Sequence, residues 1–335
     1  MDPDELRPLE LDDLVEAAEP NPLLRRVDAL CDARAWDELV ELARRCREAY
    51  ERGKQLWPIA EHIDYRLALE ASPRYAAGVL TPTAGRFALG PLTEVAASTH
   101  TFDALVAHLP SPQVAGVVAA ERVLRGEDLQ GRPEAHAEVL ELPMVLQPWE
   151  PSYPLAVYRA HDVELASPEV AALTAVGRGA PGEPLEEPEL TRSLLDLVAT
   201  WVTGSGGRAE AVVVDGPAQA AVGALGARAF LIGETDARQA LALMGWAAAS
   251  GGAHGRRRGA AAGRSAAWWV ATELSDLDWP PDPGELGEGL SRLRWYRWEP
   301  RRLAGGWHLH LAVEDPEAGW SAAVAAEDRA EQAGS

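Results

Sequence analysis

The sequence predicts a mixed α+β and α/β chain. An all-helical N-terminal region, either a bundle or an irregular helical-repeat array, precedes a C-terminal α/β domain with a small sheet and an antiparallel terminal meander. Apolar residues recur at helical spacing through residues 1–133. Proline and glycine break short apolar runs through 134–190, and strand-like and helix-like stretches alternate through 191–330, leaving 331–335 as a disordered tail. The 335 residues exceed one ordinary domain of roughly 100 to 200, so more than one structural unit is expected.

In the first region, Leu23, Leu24, Val27, Leu30 and Cys31 share one helical face. Trp36, Leu39, Val40, Ala43, Cys46 and Tyr50 form a second stripe, with Asp37 and Glu38 at its start and Arg44, Arg45 and Arg47 towards its end, as the helix dipole favours. Gly53 stops that helix, and Pro58 suits the first turn of the next, where a missing amide costs little. Further helices are expected at Leu92–Ala97, at Thr101–Leu109 with Thr101 as cap, and at Gln113–Arg125.

From 134 the chain changes character. Short runs at Val139–Leu142, Met144–Leu146 and Leu155–Tyr158 read as brief strands interrupted by Pro143, Pro148, Pro151 and Pro154. Residues 176–190 have the Pro, Gly and Glu content of a solvated linker. Helix Thr191–Thr203 follows, then strand A-V-V-V-D, a short helix, strand A-F-L-I-G, and a helix Asp236–Ala249 capped by Thr235. This order suggests a parallel crossover. A helix Gly255–Leu274 and three strands close the chain, and seven of the twelve tryptophans lie from Trp268 onward.

Composition narrows the function classes. A net charge of −21 argues against a general nucleic-acid binder, which needs a basic face to release counterions. Lys54 is the sole lysine, a bias that with abundant Ala, Arg and Gly suggests a GC-rich bacterial genome. Cys31 and Cys46 encode neither a disulfide framework nor a metal knuckle, and no signal-like start or membrane-length apolar run is present, so a cytoplasmic protein is expected. Nucleophile elbow, Walker, dinucleotide, H-E-x-x-H and EF-hand patterns are absent, and no cofactor is strongly implied.

The main local anomaly is G-G-A-H-G-R-R-R-G-A-A-A-G-R. Between Ala237 and Thr272 there are five arginines and no acid. One reading makes His254, Gly255, Arg256, Arg257, Arg258, Gly259 and Arg264 an anion site at a helix start, suited to a phosphorylated small molecule such as a nucleotide or coenzyme A. The other makes Gly255, Gly259, Gly263, Ala267 and Ala271 a small-residue face for close packing. Residues 256–261, R-R-R-G-A-A, resemble the R-x-x-G-x-[G/A] pattern of the Gcn5-related N-acetyltransferases over those six positions. That resemblance implies a preceding strand and a cradled coenzyme A pyrophosphate; the segment preceding it here reads as helix.

His308 and His310 fall on one face of a strand with Glu314 and could share a metal, although a polar strand face explains the same spacing. Arginines of 256–264 and 292–302 interleaved with Trp295, Tyr296 and Trp298 could stack nucleic-acid bases, but a cross-strand aromatic ladder accounts for them as well. The sequence therefore points first to a non-catalytic interaction or regulatory scaffold with protein partners. An enzyme or sensor using the 251–264 segment is the alternative.

Overall fold

The computed structural model describes residues 11–81, 88–301 and 305–329; the tail 331–335 and Arg302 lie outside these. The chain forms two compact units. One comprises residues up to Arg122 with Pro133–Val139 and Val157–Glu164; the other comprises Val123–Arg132, Leu140–Ala156 and the chain from Leu165. The 134–190 segment thus contributes to both.

The first unit is helical: α1 (Leu11–Ala17), α2 (Pro20–Asp32), α3 (Trp36–Glu48), α4 (Trp57–Glu70), α5 (Pro73–Gly78), α6 (Leu92–Thr99), α7 (Phe102–Leu105) and α8 (Pro112–Leu124). Most of each stripe read from sequence faces inward, with Leu23, Val27, Leu39, Cys46 and Ile63 all fully buried, but Val40 and Tyr50 of the second stripe are exposed, at 42% and 66%, and Tyr50 lies beyond the end of α3. A 3-10 turn ends at Gly53, whose φ of 79° suits glycine. Thr101 caps α7 by accepting the Ala104 amide at 3.3 Å, and the expected long helix there is instead one turn plus a 3-10 turn. The hairpin of β1 (Ala156–Tyr158) and β2 (Val163–Leu165) supplies Tyr158, whose hydroxyl donates to the buried Glu94 at 2.7 Å.

The second unit contains a six-stranded sheet ordered β3 (Ala175–Gly177), β5 (Phe230–Thr235), β6 (Arg294–Pro300), β7 (Trp307–Asp315), β8 (Trp320–Asp328), β4 (Arg208–Asp215). Every neighbouring pair is antiparallel. The expected parallel crossover is therefore corrected. β4 and β5 do run the same way, but the meander β6–β7–β8 lies between them and satisfies both their ladders. On one face, α11 (Ala218–Ala224) covers Val214, Ala312 and Ala323. On the other pack α9 (Pro188–Asp196), α10 (Ala199–Ser205), α12 (Ala237–Ala249), α13 (Ala260–Leu274) and α14 (Pro283–Arg292), around Trp201, Trp268, Leu286 and Trp295.

Other expectations are also revised. Asp236, not Thr235, caps α12, its carboxylate accepting the Gln239 amide at 2.7 Å. Only Ala156–Tyr158 among the proline-broken runs is a strand. The stretch before it is a strap held by side chains: Arg264 on α13 donates twice to Glu150, at 2.8 and 2.7 Å, and once each to the carbonyls of Pro143 (2.9 Å) and Val145 (3.2 Å). Tyr153 and Trp268 donate to the same carboxylate at 3.0 and 2.9 Å, as does the Gln147 amide at 3.0 Å. Burial, reinforced by the Glu150 charge, raises the Tyr153 phenol well above its ordinary range, keeping its proton in place for that bond.

Small residues let α13 approach α12. A Cβ on Gly263 would lie 2.2 Å from the Gly245 carbonyl oxygen and 2.9 Å from the Ala249 Cβ. This sets two effects against each other. Helix propensity alone predicts that Gly263→Ala gains about 1 kcal/mol, whereas backbone contact predicts a loss of about 1–3 kcal/mol. Chemical denaturation is expected to show the loss; a more stable variant would contradict the close approach.

Candidate functional site

The Gly/Arg segment is built differently from a helix-start anion site. α13 begins at Ala260 with Gly259 as its cap at φ 98°, so His254, Gly255, Arg256, Arg257 and Arg258 lie in the preceding loop. Gly251 and Gly255 are in backbone contact, a Cβ on either lying 2.2 Å from an atom of the other. The loop is pinned from within: the buried Asp328 carboxylate accepts the Ala253 amide at 2.6 Å, and the His254 amide donates to Ser205 at 2.7 Å. Arg256 and Arg258 are exposed and have no acidic partner among the described residues. Arg264 is separated from them, fully buried against Glu150, which removes it from an exposed anion set. The R-R-R-G-A-A stretch follows helix α12, so the strand that the acetyltransferase resemblance implies is absent.

His308 and His310 do share a strand face, with rings 5.8 Å apart, but their neighbours do not complete a metal site. Among the described residues no group of three or more His, Cys, Asp or Glu side chains is arranged to hold a metal ion. His310 is buried beside Trp298, its Nε2 3.7 Å from Glu327 and its Nδ1 without a hydrogen-bond partner among the described residues. Trp295, Tyr296 and Trp298 are themselves buried, at 4%, 8% and 3% exposure, and cannot offer faces to nucleic-acid bases.

Burial, with repulsion from His308 added, pushes the His310 imidazole down from 6.5 to about 4. The unfolded chain therefore binds this proton more readily. Stability is complete above pH 6.5 and declines as the pH falls towards 4, by about 3 kcal/mol from this group. Denaturation series across that range are expected to show a shallower acid slope for His310→Phe than for the wild-type chain; parallel slopes would argue that the imidazole is solvated.

A third place emerges only from the fold. A cleft of about 660 Å³ in the second unit is floored by Leu190, Leu274, Leu293 and Trp320. Its charged lining is Glu187, Glu189, Glu273, Asp276 and Asp315 against one base, Arg292, and none of the five carboxylates forms an ion pair among the described residues. Glu273 and Asp276 stand at the C-terminal end of α13, where carbonyls already concentrate negative charge and no basic residue occupies the last turn. Burial, then repulsion by Glu189 and Asp276, raises the Glu273 carboxyl above its ordinary range. One turn earlier on that helix, Trp269 is 40% exposed, and its ring lies 5.3 Å from Trp279. Trp279 is braced by donating to Glu141 at 2.7 Å.

Another cavity, about 480 Å³, lies at the start of α12 and includes Arg238 and Arg294. Both are engaged: Arg238 donates to the Pro148 and Trp149 carbonyls, and Arg294 faces Glu314 at 3.7 Å. The acidic cleft is the more unbalanced of the two. Sequence reading passed over Trp269, Glu273 and Asp276, although the four-residue spacing of the first two and an acidic helix end without a base were visible signals.

No helix among the described residues is long and apolar enough to cross a membrane. No curated protein and no solved structure matches the chain. A family model does match, over residues 21–330, and the chain accordingly belongs to the family of unknown function DUF6183.

Proposed function

We propose that this is a non-catalytic interaction or regulatory protein of the cytoplasm, docking a protein partner through the outer face of α13. The observation that carries the reading is Trp269, an exposed indole braced by Trp279. A large, rigid aromatic group loses little entropy on contact and is the commonest kind of binding anchor. The buried polar groups of the second unit support the same reading: Glu150, Tyr153, Arg264 and Trp268 satisfy one another.

The anion-binding alternative narrows to His254, Arg256, Arg257 and Arg258. It is favoured by the exposure of Arg256 and Arg258 without acidic partners among the described residues. Such an enzyme or sensor would hold a nucleotide, coenzyme A or another phosphate ester on the loop. Thermal shift against those compounds tests it, because a ligand at a hundredfold excess over its dissociation constant raises stability by about 2.7 kcal/mol.

For the leading reading, tagged wild-type and Trp269→Ala chains are compared in recovering partners from the native cytoplasm. The variant is expected to unfold within about 1 kcal/mol of the wild type, as surface substitutions do, yet lose the recovered partner. Equal recovery by both chains would remove α13 as the docking face.

A further inference from the structure

We infer that the partner presents an arginine- or lysine-bearing extended segment, its cationic head seated in the acidic cleft and its apolar part laid on Trp269. This rests on the interaction reading above and adds the chemistry of the partner.

Glu189, Glu273 and Asp276 line one cleft, where burial and then repulsion by Glu189 and Asp276 raise Glu273, and the helix end beneath Glu273 and Asp276 adds negative potential of its own. Carboxylates placed there oppose the dipole. A guanidinium or ammonium group entering between them relieves both effects, and it meets carboxylates that no side chain of the described residues already neutralises.

The volume of about 660 Å³ is far more than one cation fills, and the apolar floor suits an aliphatic stem. Trp269 and Glu273 are four residues apart on α13 and so share a face, which sets an exposed aromatic ring one helical turn from a carboxylate that lines the cleft. A cation passing that ring gains a cation–π contact in addition to the ion pairs. Arginine is the better fit of the two bases, because its planar fork can bridge two carboxylates while its face lies on an indole.

The test uses the full chain and synthetic ten-residue peptides: one carrying three arginines, one with lysine in their place, one with glutamine, and one with glutamate. Binding is read by calorimetry at low and moderate salt, with spermidine and magnesium as competitors. The arginine peptide is expected to bind, the lysine peptide several-fold more weakly, and the glutamine and glutamate peptides not measurably. Affinity should fall with salt, and the pair Glu189→Gln and Glu273→Gln should lower it on the order of tenfold, or about 1.4 kcal/mol. Both changes are isosteric at the surface, and a matching thermal unfolding curve confirms the fold.

Three results overturn the inference: equal binding of arginine and glutamine peptides, binding indifferent to the two glutamine substitutions, or complete displacement by spermidine or magnesium at equal charge. The last would assign the cleft to small cations. If basic peptides fail while partner recovery still depends on Trp269, the docking face stands and its basic occupant falls. If recovery is also independent of Trp269, both fall.

Discussion

The second unit is organised by one buried ion pair. Glu150 and Arg264 are both fully enclosed and lie 114 positions apart, so each must be satisfied by protein groups alone. They are: the carboxylate accepts from Arg264, Tyr153, Trp268 and the Gln147 amide, while the guanidinium spends further donors on the Pro143 and Val145 carbonyls. The consequence reaches the surface. Arg264 and Trp268 are one turn apart and both converge on Glu150, fixing the rotation of α13 about its axis. Trp269, about 100° further round, must then face outward. The exposed indole follows from the buried one.

Helices of the first unit were legible where the local signal is strong: α2 and α3 carry clear apolar stripes, and α3 adds charges sorted by the dipole, whereas the short α1 and α5 offer too little pattern to be read. The sheet was less so. Its strands are readable one by one, but neighbours are decided by which ladders the rest of the chain can complete. β4 and β5 invited a parallel pairing that β6, β7 and β8 pre-empt by lying between them. The strap at 143–153 reads as broken strands because the groups that hold its carbonyls lie more than a hundred residues away. α14 went unread since Pro283 and three glycines mask its inward Leu286 and Leu290.

The arginine cluster shows the same limit at the level of function. Arg256, Arg257, Arg258 and Arg264 look equivalent in sequence, yet the last is a core residue and the first three belong to a loop. Helical periodicity did indicate that Gly263, Ala267 and Ala271 share a face; all three are buried on α13, and Gly263 is the position that allows its close contact with α12. Net charge misled in another way. The −21 of the whole chain falls as −17 before residue 191 and −4 after it, which drew attention to anions in the C-terminal half. There several arginines are taken up by carbonyls or by carboxylate partners, while a set of carboxylates without ion pairs among the described residues lines one cleft.

Glu150 and Arg264 hold the strap to α13 only if they act as a unit, and a double-mutant cycle measures that directly. Chemical denaturation of Glu150→Gln, Arg264→Met and the combined chain gives their coupling energy. Breaking a buried pair from either side costs about 3–5 kcal/mol because a charge or its hydrogen-bonding partners are stranded, whereas removing both charges restores much of the loss. The prediction is strong coupling, of about 2 kcal/mol or more, with the double variant more stable than the sum of the single losses implies. Additive losses, with coupling near zero, would mean that the strap and α13 are held independently and that the outward setting of Trp269 has another cause.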